Sequence, residues 1–120
     1  MLYKIIIIGL GGFVGSTARY IISKLIQENV SSIFPWATLL INLIGSFLIG
    51  VLFTLAYREN LISENWSNFL IIGLCGGFTT FSTFSLENYN LYNAGNYLPL
   101  LLYSSISIIG GLIMVFLGII

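Results

Sequence analysis

The chain has 120 residues, of which 58% are apolar and 7% are charged, with no net charge and a mean hydropathy of +1.02. Soluble domains carry about 25% charged residues, so this composition indicates an integral membrane protein. Histidine and aspartate are absent, and Cys75 is the one cysteine. A His-based catalytic triad, a His/Cys metal cluster and an internal disulfide are excluded, and we expect no enzyme and no nucleic-acid partner. Cys75 is expected to be a small buried hydrophobe.

Four apolar stretches separated by polar connections predict an all-α fold with four transmembrane helices. About 20 apolar residues are needed to cross a bilayer. The predicted spans are residues 4–26, 34–57, 65–86 and 98–120 of one membrane domain, 1–120. The first span resembles a secretory signal, but no A-x-A-like cleavage site follows it, and we expect it to be retained.

The four basic residues are divided evenly between the two sides of the predicted membrane. Lys4 and Arg58 fall on one side, and Arg19 and Lys24 fall on the other. Because Lys and Arg in short loops set orientation, the chain has no clear preference for either one. Two interpretations fit this count. Charge is simply sparse, or the same chain inserts both ways and pairs with itself in an antiparallel dimer, an arrangement called dual topology.

Small residues recur four positions apart in every predicted span. Such pairs let helices approach closely in lipid, so their recurrence predicts a tightly packed oligomer. The pairs are Gly11/Gly15, Ser46/Gly50, Gly73/Gly77 and Ser107/Gly111.

The third span contains a glycine pair followed by interleaved hydroxyls and phenylalanines, from Gly76 to Ser85. Glycines lower helix propensity, so we predict that the helix is broken at Gly76-Gly77. A broken helix at membrane depth occurs where it is buried in protein or lines a watery cavity. The break would also free backbone carbonyls, which suit a hard cation held beside an anion path.

Phe81 and Phe84 share one face of the third span, with Ser82 and Thr83 between them. A phenylalanine stripe alone usually indicates packing. Aromatic ring edges carry partial positive charge, however, and hydroxyls donate hydrogen bonds. Together these groups form a neutral surface that can receive a dehydrated anion without trapping it.

Four further polar residues lie within the other spans, and each has two interpretations. Asn42 either bonds a neighbouring helix or lines a pore as an NH₂ donor. Arg19 either extends its side chain to the membrane interface or places positive potential at the mouth of an anion path. Tyr103 and Ser107 share a face of the fourth span, where they either pack with hydrogen bonds or line a pore.

These motifs resemble those of the Fluc fluoride channels, also called the CrcB family, over nearly all of the chain. The third-span run Gly76-Gly77-Phe78-Thr79-Thr80-Phe81-Ser82-Thr83-Phe84-Ser85 is the most specific match. The first-span motif from Gly11 to Tyr20 also resembles the family's, with Ser16 where Ala is more usual. Thr38 to Asn42, with Gly45, resembles the second-span motif.

The resemblance implies a multi-pass protein of the cell membrane, expected in a bacterial inner membrane, that exports fluoride passively and so relieves fluoride toxicity. It implies an antiparallel dual-topology homodimer with two pores. Phe81 and Phe84 would contact fluoride through their ring edges, and Asn42 would be the pore amide. Ser82, Thr83, Tyr103, Ser107 and Arg19 are the other residues expected along the pore. The carbonyls of Gly76 and Thr79, two from each subunit, would hold a structural sodium ion.

Two other classes of membrane protein fit the size of the chain. A small multidrug-resistance exporter also has four spans and dual topology, but its proton coupling needs a carboxylate in the first span, and Glu28 lies beyond that span. A scaffold subunit without transport activity would use the polar span residues only to hold helices together.

Overall fold

A computed structural model describes every residue from Met1 to Ile120. The fold is all-helical, and four helical segments are long and apolar enough to cross a membrane. The prediction of four apolar spans is therefore confirmed.

The helices are named here in chain order. Helix α1 is Leu2–Asn29, and α2 is Trp36–Phe53 followed by a π-helical turn at Thr54–Arg58. Helix α3 joins Glu64–Ser67, the π-helical stretch Asn68–Cys75 and Gly76–Phe78. Helix α4 is Phe81–Asn93, and α5 is Tyr97–Ile119.

Local sequence explains the helix boundaries. The Ser63 Oγ accepts a hydrogen bond from the Trp66 N–H at 3.4 Å, which caps the start of α3. Glu64 follows in the first turn, where a negative charge favours the helix dipole. Gly95 has a φ of +80°, a conformation that lets the chain reverse sharply between α4 and α5.

The helices pack mainly as two parallel pairs, α1 with α3 and α2 with α5. A Cβ atom added to Gly73 would lie 2.6 Å from the Ile8 carbonyl oxygen and 2.9 Å from the Gly11 Cα. A Cβ on Gly50 would lie 3.1 Å from the Gly118 Cα. Glycines at these crossings allow the backbones to touch. The small residues of the first and third spans thus pack against each other within one chain.

The helix of the third span continues past residue 86, the predicted end of that span, because α4 runs to Asn93 and includes Glu87. The Tyr103 hydroxyl donates to the Glu87 Oε1 at 2.9 Å, and the Ser104 Oγ donates to the Asn88 Oδ1 at 3.0 Å. Two polar residues predicted to start a loop are therefore bonded to α5 and remain helical.

Most of the apolar surface of the chain faces outward. Only 15 of the 120 residues are buried. The bundle is 47 Å long, which is enough to cross a bilayer. Cys75 is one of the buried residues and is a free thiol, as predicted. The outward face is suited to lipid or to another protein chain.

Candidate functional site: a groove beside the interruption of the third span

The helical conformation of the third span is interrupted at Thr79 and Thr80. Both residues are extended, with φ, ψ of −83°, 157° and −149°, 124°. Gly76 and Gly77 are helical, so the predicted position of the break at the glycine pair is wrong. Low helix propensity at the glycines is not sufficient to end α3 there.

Asn42 on α2 explains why the interruption lies at Thr80. The Thr80 N–H donates to the Asn42 Oδ1 at 2.9 Å, and the Asn42 Nδ2 donates back to the Thr80 carbonyl at 3.1 Å. In a continuous helix that N–H would bond the carbonyl of Gly76, four residues earlier. The side-chain amide replaces the helical bond with a reciprocal pair of the kind that joins two strands.

Arg19 on α1 bonds the same region from another side. Its Nε donates to the Gly77 carbonyl at 3.1 Å. The guanidinium thus lies at the C-terminal end of α3, where carbonyls lack helical donors and the dipole favours a cation. The structure places Arg19 on the backbone of α3 and outside the lining of the groove described below.

The carbonyl groups of Gly76 and Thr79 are among those at the interruption that lack their usual helical donors. The donor for Gly76 would be the Thr80 N–H, which bonds Asn42 instead. The donor for Thr79 would be the Thr83 N–H, which bonds the Thr80 Oγ1 at 3.2 Å. Gly76 also faces outward, since a Cβ there would meet only the Ile71 carbonyl oxygen, at 4.0 Å. Neutral carbonyl oxygens of this kind are suitable ligands for a hard monovalent cation.

An open groove of about 280 Å³ lies beside the interruption. It has room for several water molecules, each of which occupies about 30 Å³ in the liquid. Ser107 contributes an Oγ that is buried and has no hydrogen-bond partner. The groove is lined by Asn42, Ser46, Ile49, Thr79, Thr80, Phe81, Phe84, Ser107 and Ile108.

The first turn of α4 gives the groove its electrostatic character. Thr80 caps α4 by accepting the Thr83 N–H, and the positive end of the helix dipole therefore lies beside Phe81. The Phe81 ring is 77% exposed, and its centroid is 5.8 Å from that of Phe84. Ser82 lies on the same turn, with its Oγ 3.4 Å from the Thr80 Oγ1. Ser82 and Thr83 do not line the groove.

Tyr103 lies behind the groove and does not line it. The residue is fully buried, its ring centroid is 5.0 Å from that of Phe84, and its hydroxyl is bonded to Glu87. Phe34 contacts its other side with a centroid distance of 5.7 Å. Tyr103 therefore positions Phe84 and Glu87, and its O–H is already used as a donor.

A second cavity, of about 410 Å³, opens at the end of the bundle where α1 meets the start of α2. Glu87, Phe34 and Trp36 are in its wall. The Phe34 and Trp36 centroids are 4.7 Å apart. A row of rings thus leads from Phe81 in the groove through Tyr103 to this cavity.

Comparison with known proteins identifies the family of this chain. Residues 6–119 match the family described as CrcB-like protein, Camphor Resistance (CrcB). The chain belongs to the CrcB family. A CrcB relative from Azobacteroides pseudotrichonymphae, named fluoride-specific ion channel FluC, is 51% identical over 118 residues, covering 98% of this chain and 94% of the relative. Relatives of the same name from Chlorobium chlorochromatii and Leptospira interrogans are 47% and 40% identical over 116 residues, covering 97% of this chain and 89% and 91% of the relatives.

The predicted CrcB resemblance is therefore confirmed, and the structure brings part of the predicted site together. Asn42, Phe81, Phe84 and Ser107 share the groove with Thr79. The remaining predicted residues lie outside the lining, namely Arg19, Gly76, Ser82, Thr83 and Tyr103.

Three polar residues of this CrcB chain were missed as parts of the site. Ser46 lies one helical turn after Asn42 and so on the same face of α2, a signal present in the sequence. Glu87 lies three residues after Phe84 on α4, whereas the sequence pattern predicts a loop that begins at this residue. Thr80 has the residue type and position of an N-cap for α4. It can be recognised as a cap only when the start of α4 is already known.

Proposed function

We propose that this protein is a fluoride-selective channel that lets fluoride leave the cell passively and so lowers its intracellular concentration and toxicity. The observation that carries the proposal is the groove in which the Phe81 and Phe84 rings, the Asn42 amide and the unpartnered Ser107 hydroxyl converge. Membership of the CrcB family and relatives named fluoride-specific channels support it.

The groove offers a small anion many weak donors and no full charge. Phenylalanine ring edges, a serine O–H and the second N–H of the Asn42 amide can each replace part of the hydration shell. The positive end of α4 adds a fixed partial charge of about +0.5 at the same place. Because no arginine or lysine lines the groove, the anion is bound weakly enough to leave again.

The conducting form in this proposal is an antiparallel, dual-topology homodimer in the cell membrane, here a bacterial inner membrane. The groove is open on one side, and Phe81 at its rim is 77% exposed in the single protomer. A second copy in the opposite orientation would close two such grooves into two pores. The surrounding apolar faces of the dimer would contact lipid.

A sodium ion at the centre of that dimer completes the proposal. The carbonyl oxygens of Gly76 and Thr79, two from each protomer, would hold it. Their lack of helical donors and the outward position of Gly76 support this assignment. When bound, the ion would neutralise the converging carbonyl dipoles and join the two chains.

Anion efflux from liposomes that contain the purified protein tests the function. We expect fluoride to leave and chloride to be retained. Phe81→Ile and Phe84→Ile are each expected to cut fluoride efflux while the dimer survives on a sizing column. Undiminished efflux in both variants would contradict the pore assignment.

The same assay addresses the other classes. Proton-coupled export of a lipophilic cation would indicate a multidrug exporter, and no flux at all would indicate a scaffold. The relatives' names favour the channel. The carboxylate of Glu87 is bonded to Tyr103 and lies on α4, whereas an exporter needs its carboxylate in the first span.

A further inference from the structure

Two side chains from different helices grip the backbone of the interruption, one on each side of Thr79. Asn42 of α2 makes the reciprocal pair of hydrogen bonds with Thr80, at 2.9 and 3.1 Å. Arg19 of α1 donates to the Gly77 carbonyl at 3.1 Å. We define these three hydrogen bonds as the clamp.

The clamp occupies two carbonyls of the interrupted segment and, together with the Thr80 cap, leaves others free. The carbonyls of Gly77 and Thr80 accept hydrogen bonds from Arg19 and Asn42. The carbonyl of Gly76 loses its helical donor because Asn42 takes the Thr80 N–H. The carbonyl of Thr79 has no donor at all, since Thr83 bonds the Thr80 Oγ1. The two side chains thus occupy the Gly77 and Thr80 carbonyls, and the carbonyls of Gly76, Phe78 and Thr79 are left without donors.

Packing fixes the clamped segment against both supporting helices. A Cβ on Gly77 would lie 2.7 Å from the Gly12 carbonyl oxygen, so α3 touches α1 there. A Cβ on Gly45 would collide with the Thr79 side chain, so α2 touches the segment from the other side. Neither helix can move away without opening a void, and the hydrogen bonds act between rigid partners.

We propose that Asn42 and Arg19 are positioning residues for the cation site, acting by reserving the Gly76 and Thr79 carbonyls for the ion. Without Asn42, the Thr80 N–H regains Gly76 as its acceptor, the helix continues, and one ligand is lost. Without Arg19, the Gly77 carbonyl has no donor, and it competes with the Gly76 and Thr79 carbonyls for the ion. This inference rests on the sodium site of the proposed function.

The test measures how sodium raises the thermal stability of the purified dimer, titrated against an organic cation at constant ionic strength. Asn42→Leu and Arg19→Met are each expected to raise the half-saturating sodium concentration roughly tenfold, the fold-change expected when one or two hydrogen bonds are lost. Thr54→Val and Asn29→Leu are the matched controls on α2 and α1. They remove a polar group that does not touch the clamp and should leave the titration unchanged.

A second measurement separates this inference from the sodium proposal. The ¹³C shifts of Thr79 and Thr80 in sodium-free buffer report their backbone conformation. We expect extended values in the native chain and a change toward helical values in Asn42→Leu. If the shifts in Asn42→Leu are the same as in the native chain, the inference about Asn42 is wrong, whatever sodium does. If sodium stabilises neither the native chain nor any variant, the proposed ion is wrong.

Equal half-saturation in the native chain and both clamp variants also overturns the inference. If Asn42→Leu yields no folded protein, Arg19→Met decides the sodium question, because it acts on a different carbonyl and a different helix.

Discussion

At the scale of single residues, the informative groups are those whose hydrogen bonding is incomplete. Ser107 has a buried hydroxyl without a partner, in a groove where its neighbours Asn42 and Thr80 are bonded to each other. A buried hydroxyl without a partner costs about 1–3 kcal/mol. In the proposed channel an anion in the groove would accept a hydrogen bond from this hydroxyl, so the proposed function accounts for its presence and stability does not.

Replacing Ser107 with alanine separates these two roles. Ser107→Ala is expected to lower fluoride efflux several-fold and to leave the free energy of unfolding unchanged or slightly higher, since no hydrogen bond is lost. Liposome efflux and thermal unfolding of the same preparation measure both effects. Ser105→Ala, an exposed position on the same helix, is the control and should change neither. Full efflux with reduced stability would instead indicate a purely structural hydroxyl.

At the scale of helices, the interrupted span presents two helix ends of opposite sign at one depth. The C-terminal end of α3 carries carbonyls and partial negative charge, and Arg19 lies against it. The N-terminal end of α4 carries free N–H groups and partial positive charge, and it faces the groove. In the proposed channel, one interruption would therefore provide a place for a cation and a separate place for an anion.

The existence of the spans was predictable from the sequence, and the details of the third were not. Four apolar stretches of sufficient length dictate four helices, because the bilayer requires it. The position of the interruption depends on Asn42, which is 38 residues away in sequence and bonds Thr80 only after folding. Likewise, Glu87 remains helical because Tyr103 supplies a donor from α5. A pattern read along one segment contains neither partner.

The contact between α1 and α3 predicts a steep difference between two glycines. Gly73→Ala places a Cβ 2.6 Å from the Ile8 carbonyl oxygen, and we expect a loss of about 1–3 kcal/mol in the free energy of unfolding. Gly9→Ala meets nothing within 4 Å and should be neutral or stabilise by up to about 1 kcal/mol through helix propensity. Denaturant titration in detergent measures both. Equal effects of the two substitutions would show that α1 and α3 are not in close contact at Gly73.

At the scale of the whole molecule, the distribution of charge differs from the even count expected from the sequence. Arg19 is bonded inside the bundle and does not act as a loop charge. Lys4 lies at the end that also holds Arg58, where it pairs with Glu64 at 2.8 Å. Lys24 alone remains at the other end, above the Tyr20 ring. The orientation bias therefore amounts to two positive charges against one.

Removing Lys24 should turn this small bias into a fixed orientation. In Lys24→Gln we expect both termini to face the cytoplasm in nearly all copies, because positive loops are retained there. Fluoride efflux from cells should fall, since antiparallel partners become scarce. Tag accessibility at the C-terminus measures the orientation.

Co-expression with a double variant, Lys4→Gln with Arg58→Gln, should restore efflux by supplying the opposite orientation. Lys24→Gln with unchanged orientation, or efflux that the second chain does not restore, would count against dual topology.

The parallel pairing of helices also has a consequence for biosynthesis. Gly11 of α1 cannot contact Gly73 of α3 until Gly73 has been synthesised, 62 residues later. At about 5–20 residues per second that delay is roughly 3–12 s. Helix α2 waits still longer, because its partner α5 is made last. Nascent chains thus enter the membrane before their main packing contacts exist. Tertiary contacts therefore form too late to determine the orientation of the chain in the membrane. A few flanking lysines and arginines determine it instead.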